Sequence, residues 1–147
     1  MSKKNILIFS TAFIVVILDQ LTKFLIKDNI RLGTSIPIIR NVLHLTYVTN
    51  SGSAFGLFKG FNLFFIIFSI FVIFAIFYYL KRIIKSEGLL QISVGLLLGG
   101  TIGNLIDRIL YGSVTDFIDF RIWPVFNVAD SAVTISIILL IVLLWKK

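Results

Sequence analysis

Cysteine is absent from this chain of 147 residues, and that absence closes several routes at once. No disulfide, no thiolate metal site and no thiol nucleophile is available, and the chain has no thiol of its own to acylate. Histidine occurs once, as His44. It has no Cys, His or Glu neighbour to share a metal with, which argues against a zinc peptidase. Charge is scarce too: 14% of the residues are Asp, Glu, Lys or Arg, where a soluble domain carries about 25%. Apolar residues fill the gap, at 58% of the chain compared with about 45–50% in soluble domains. Composition alone therefore predicts an integral membrane protein, and the length predicts one domain spanning residues 1–147. The net charge of +7 raises the question of nucleic acid. The basic residues form no single patch, however. Lys3 and Lys4, Lys81, Arg82 and Lys85, and Lys146 and Lys147 mark the ends of hydrophobic runs, as cytoplasmic flanks do under the positive-inside rule. No nucleic-acid partner is expected.

Four apolar stretches predict four transmembrane helices, at about residues 6–26, 61–80, 89–110 and 127–145. Continuous runs without period-2 alternation argue against a β-barrel, the other fold able to satisfy its backbone in lipid. The basic flanks place both termini and the 81–88 loop in the cytoplasm, with 27–60 and 111–127 as outer loops. Arg31, Arg40, Lys59 and Arg121 in those loops make the bias moderate. Trp123 and Trp145 fit opposite interfacial belts. Reading residues 1–18 as a cleaved signal peptide is disfavoured, because Asp19-Gln20-Leu21-Thr22 stands where a small-residue cleavage site belongs. In the third span Gly95, Gly99 and Gly103 recur at spacing four beside Gly100, a smooth face for close helix packing. The fourth apolar run, Ser131 to Trp145, falls short of the ~20 residues a crossing needs. The missing turn comes from the residues before it and puts Asp130 at the membrane boundary.

Polar residues then align in depth. The steps from Lys4 to Asp19, from Leu89 to Asn104 and from Trp145 back to Asp130 each rise ~22 Å along a helix. Three helices thus bring polar groups to one level near the outer surface. Asp19, Thr22 and Lys23 have i, i+3, i+4 spacing, as do Asn104, Asp107 and Arg108, so each trio is expected on one helix face. Intramembrane ionisable groups normally face the bundle interior or water, often in pairs. Asp19–Lys23 and Asp107–Arg108 taken alone read equally well as ion pairs that orient helices. The cytoplasmic half of every span is free of charge, so the cluster reads as a site open to one side. A carboxylate-dependent ion- or proton-coupled carrier is the alternative, but it requires charges at several depths. A non-catalytic bundle assembled through the Gly-rich span is a third reading.

The outer loops carry structure of their own. Val42 to Val48 reads as a strand, Asn50-Ser51-Gly52 as a turn, and Phe55, Leu57 and Phe58 as a short amphipathic piece on the membrane surface. His44 reads as an ordinary mid-strand residue. After a turn at Tyr111-Gly112-Ser113, residues 114–121 run extended. Asp116 then lies among apolar residues, and Asp119 sits beside Arg121. Either Asn127 or Asp130 suits the N-cap of the last helix.

Five stretches, "DQLTK" at 19–23, "NSGSAFG" at 50–56, "GGTIGNLIDR" at 99–108, "VTDF" at 114–117 and "FNVAD" at 126–130, resemble the blocks of lipoprotein signal peptidase (signal peptidase II), a bacterial membrane aspartic peptidase. They fall in family order and spacing across nearly the whole chain. One departure is Ser53-Ala54, where the family commonly has Ala-Ala. The resemblance implies an all-α membrane protein with four transmembrane helices, both termini cytoplasmic, and a small extracytoplasmic β-rich loop region. It implies Asp116 and Asp130 as the catalytic pair. Asn50, Asn104 and Arg108 would hold substrate backbone, with Asn127 in the same substrate-binding shell. Asp19, Lys23 and Asp107 would be structural residues near the site. The implied substrate is a diacylglyceryl-modified prolipoprotein, cut just before the lipidated cysteine. No metal or organic cofactor is implied. The enzyme is expected as a lipid-embedded monomer of the bacterial cytoplasmic (inner) membrane, with its active site toward the outer face.

Overall fold

In the computed structural model, which describes residues 6–52, 60–83 and 88–145, four helices carry a small sheet at one end. The helices are α1 (Ile6–Asn29), α2 (Asn62–Ile83), α3 (Gly88–Tyr111) and α4 (Val128–Trp145); the strands are β1 (Ser35–Ile39), β2 (Leu43–Asn50) and β3 (Val114–Asp119). α1, α2 and α3 are long and apolar enough to cross a membrane, while α4 is a shorter apolar helix of 18 residues. α4 begins three residues before Ser131, as the short apolar run requires. The readings for Lys3, Lys4, Ser53, Ala54, Phe55, Leu57, Phe58, Lys59, Lys85, Lys146 and Lys147 lie outside the described residues.

The distribution of polarity is the reverse of a water-soluble core. The largest fully buried side chains include Lys23, Asn127, Thr115, Asp19 and Asp107, whereas Phe64, Phe68, Phe71, Phe74 and Ile138 point outward. Lipid is as apolar as leucine and gives helices no hydrophobic reason to associate, so small residues and polar contacts hold the bundle. α3 is the central helix and packs on all three others. A Cβ on Gly99 would lie 2.7 Å from Ala12 O of α1, and one on Gly100 would lie 2.5 Å from Ala129 O of α4. Both lie inside normal contact distance, so the glycines set how close the three backbones come. Deeper in the bundle the Ser136 hydroxyl donates to Ser93 O at 2.7 Å. An apolar cluster of Ile8, Ala12, Ile76, Val94 and Leu98 fills the space where α1, α2 and α3 meet.

The sheet is antiparallel, in the order β1-β2-β3. The sequence predicts the middle strand and an extended run over 114–121 that contains β3; β1 is not expected from it. The turn between β1 and β2 places Asn41 at φ 63°, the left-handed region that Asn tolerates. Register shifts between Pro37 and Ile39 and between Leu45 and Val48 bend the sheet. Ile26 of α1 and Ile30, just past its end, pack with Phe117 of β3, and Leu45, Tyr47, Ile118 and Val128 close around them. Phe126 continues the β3 edge, accepting from the Phe117 and Ile118 N–H groups. The chain is thereby pinned to the sheet one residue before Asn127, so that the start of α4 is set against β3.

Candidate active site

Asp116 and Asp130 come from the two ends of the segment joining α3 to α4. Asp116 lies in β3, opposite Val48 of β2, and Asp130 lies in the first turn of α4. Asn127 precedes that helix. Its Oδ1 accepts the Asp130 N–H at 2.8 Å, and Asp130 Oδ2 accepts the Asn127 N–H at 3.2 Å, a reciprocal arrangement of capping-box form. The N-cap choice therefore resolves to Asn127. Asn127 is the cap, and Asp130 returns the bond with one oxygen while the other takes the Asn104 amide at 2.7 Å.

Asp116 is held in a similar way. Asn127 Nδ2 donates to its Oδ1 at 2.7 Å and Asn50 Nδ2 to its Oδ2 at 3.1 Å. Asn50 is itself fixed by the Gly52 N–H on its Oδ1 at 3.0 Å. Burial, followed by the negative charge of Asp130, pushes the Asp116 carboxyl up to about 7, against the hydrogen bonds from Asn50 and Asn127 and the charge of Lys23. An acid in that range is half protonated near neutral pH.

Behind the pair lies a buried charged cluster joining α1 to α3. Lys23, 1% exposed, pairs with Asp19 at 2.8 Å and Asp107 at 3.3 Å and donates to Asn104 Oδ1 at 3.1 Å. Asp19 Oδ1 accepts the Ala129 N–H at 3.0 Å, which satisfies an orphan donor of the α4 first turn, and Asp107 Oδ2 accepts the Thr115 N–H at 2.9 Å. Two carboxylates thus tie the helix core directly to the residues next to Asp130 and Asp116. Gln20, which the sequence reading gives no role, donates to Asp19, to Gly103 O and to Asp107, each at 3.1 Å. The only sequence signal for it is its place in the "DQLTK" block.

Asn104, Asp107 and Arg108 do not all face one way. Asp107 turns to Lys23 and Gln20, while Arg108 turns toward α2. Its guanidinium lies 5.0 Å from the Phe65 ring centroid and its Nη2 donates to Gly52 O at 3.4 Å. Neighbouring helical residues differ by about 100° in direction, so the two charges are drawn to different partners instead of to each other. Arg108 Nε is buried and has no acceptor among the described residues. The expected Asp119–Arg121 pair forms, at 3.0 Å. Burial would raise Asp119, but donors from Thr46 and Arg121 outweigh it and hold this carboxyl below its usual range. His44 Nδ1 bonds the Ser35 hydroxyl at 3.0 Å, and no group of three metal-ligating residues occurs among the described residues.

Asp116 and Asp130 line a cavity of ~830 Å³ together with Asn50, Asn104 and Arg108. Its floor is α3 at Leu97, Gly100 and Thr101; Phe65, Phe68 and Val72 of α2 form one wall, and Val133, Thr134 and Ile137 of α4 the other. It is a trough between two helices, with paired carboxylates at one end and an apolar interior running away from them.

The family model for signal peptidase (SPase) II matches residues 11–146. The chain is 47% identical to the lipoprotein signal peptidase of Halothermothrix orenii over 142 residues, covering 96% of this chain and 97% of the relative. It is 43% identical to the lipoprotein signal peptidase of Moorella thermoacetica over 129 residues, covering 88% and 86%. The fold is similar to that of a bacterial membrane enzyme solved by the in meso method at 2.3 Å resolution. The TM-score is 0.87 at 39% identity, covering 99% of this chain and 90% of that one. A second such structure, at 1.9 Å resolution, aligns with a TM-score of 0.84 at 39% identity over 100% of this chain and 96% of that one.

Proposed function

The chain belongs to the signal peptidase II family, and on that basis we propose that it is an aspartic endopeptidase in which Asp116 and Asp130 activate water. It is a peptidase that removes signal peptides from prolipoproteins. The cut falls just before the diacylglyceryl-modified cysteine. The observation that carries the dyad reading is the Asn127 side chain, which holds Asp116 with its amide nitrogen and Asp130 with its oxygen at the head of a membrane-facing trough.

Two carboxylates so placed do not both ionise readily, and they titrate as a unit. The ionised member takes a proton from water as the oxygen attacks the scissile carbonyl. The protonated member donates to the carbonyl oxygen and then helps protonate the leaving amine of the cysteine. The low polarity around the trough strengthens each of these contacts. Arg108, together with Asn50 and Asn104 at the rim, holds the substrate backbone. Asp19, Lys23 and Asp107 brace the helices behind. The apolar trough receives the signal peptide and the acyl chains. In this reading all four helices cross the bacterial cytoplasmic (inner) membrane, with both termini in the cytoplasm. The sheet and the dyad lie at the outer face, and one chain suffices as a monomer. The carrier alternative gains nothing from a charged cluster confined to one level of the bundle.

The test expresses Asp116→Asn and Asp130→Asn separately and follows a diacylated prolipoprotein by gel mobility. Both variants insert normally and leave the precursor uncut, with rates down by at least ~10³-fold. Wild-type processing by either one rules the dyad out.

A further inference from the structure

Three amides surround the aspartate pair, and each has its orientation dictated by a group that can only donate. The Lys23 ammonium faces Asn104, so the Asn104 atom toward it is oxygen and its nitrogen is left for Asp130. The Asp130 backbone N–H faces Asn127, so its oxygen turns there and its nitrogen to Asp116. The Gly52 N–H does the same for Asn50, whose nitrogen also meets Asp116. All four carboxylate oxygens of the pair therefore accept an N–H from the protein: Asn127 and Asn50 on Asp116, Asn104 and the Asn127 backbone on Asp130. None of these donors can accept a proton in return. The proton the pair shares is confined to lone pairs that the protein leaves unused, and the open space beside both carboxylates is the trough.

Asn127 is the member that touches both aspartates, and its side chain is 0% exposed. Its amide nitrogen also reaches Asn104 Oδ1 at 3.1 Å and Thr115 O at 3.3 Å. A side chain so enclosed has no face left for a substrate. We infer that Asn127 is a positioning residue that aligns the two aspartates for catalysis rather than a contact for substrate, and that Lys23, through Asn104, fixes the polarity of the chain it belongs to. This rests on the dyad reading above.

The experiment compares Asn127→Ser and Asn127→Asp with the wild type on the same diacylated prolipoprotein. Ser and Asp are both good N-caps, so each keeps an acceptor for the Asp130 N–H, but neither has the amide donor for Asp116. Asp also keeps the size of the side chain. The expected result is a kcat reduced about 100-fold in both, KM within about threefold, and a thermal midpoint close to wild type in Asn127→Ser, which adds no charge beside the pair. In Asn127→Ser the alkaline limb of the kcat–pH profile also moves up, by about one pH unit, since an anion deprived of a donor holds its proton longer. The charges that face the pair are Asp19 and Lys23 from α1 and Asp107 and Arg108 from α3. Both variants leave them in place, so the movement reports the lost donor. A raised KM with kcat retained makes Asn127 a substrate contact and overturns the inference. Near-normal turnover by Asn127→Ser with an unmoved pH profile shows that amide donation is not its role. Loss of folding by both variants, in step with activity, makes it a packing residue. Activity retained by Asp116→Asn or Asp130→Asn overturns the dyad itself, whatever Asn127 does.

Discussion

Asp116 carries an energetic liability that its neighbours only partly relieve. Its carboxyl ionises near 7 in the fold and near 3.8 in an open chain, so between those values the folded protein holds a proton that the unfolded chain has already released. Stability linked to this group is intact below about 4, falls as pH rises, and is lowest above about 7. The cost is on the order of a few kcal/mol. Asp116→Asn abolishes the ionisation, and its melting midpoint in detergent should gain on the wild type steadily from pH 4.5 to pH 8. A gap that stays constant over that range would mean that Asp116 is not raised. At the same scale, Lys23 shows why a buried cation is tolerated. Its three donors meet Asp19, Asp107 and Asn104, and removal of one partner from such a set costs about 3–5 kcal/mol. Asp107→Ala is therefore expected to lower the midpoint far more than Asp119→Ala, because the Asp119–Arg121 pair is partly open to water.

The position of α4 depends on contacts with α3 that leave no slack. A methyl group on Gly100 meets Ala129 O and Val133 Cγ2 at 2.5 and 2.7 Å, whereas one on Gly88 meets only Leu7 Cδ2 at 3.4 Å. Gly100→Ala should displace the α4 first turn, lengthen the Asn104–Asp130 bond, cost about 1–3 kcal/mol and reduce processing sharply. Gly88→Ala should do neither, and melting curves with gel assays on both variants check the contrast. The helices were legible in the sequence because lipid requires long apolar runs, and the level of Asp19, Asn104 and Asp130 followed from counting residues. β1 was not legible. Ser35-Ile36-Pro37-Ile38-Ile39 has no period-2 pattern, and as an edge strand all its residues are exposed, so neither burial nor alternation marks it. The directions of Asp107 and Arg108 were hidden for a different reason. The spacing i, i+3, i+4 defines a face, but on a helix surrounded by three others the nearest partner decides the rotamer. Gln20 escaped notice because its acceptors, Gly103 O and Asp107, are more than eighty residues away in sequence.

As a whole the molecule is built inside out, with its ions and amides in the middle and phenylalanine and isoleucine around them. The most closely packed part is the α1–α3–α4 unit, joined by Lys23, Asp19 and the close-packed glycines; α2 packs mainly on α3 and stands across the trough from α4. That trough has a floor and two walls but no roof of helix among the described residues. If the proposed dyad cuts there, the geometry predicts that the signal peptide leaves sideways into lipid and that the substrate enters by the same route. The relevant concentration is then the number of precursors per lipid, not per volume of water. With enzyme and precursor held fixed, the addition of empty micelles or vesicles that both can enter should slow the reaction in rough inverse proportion to the lipid added, much as enlarging the flask slows a reaction in solution. A rate indifferent to added lipid would mean that the precursor is captured from water.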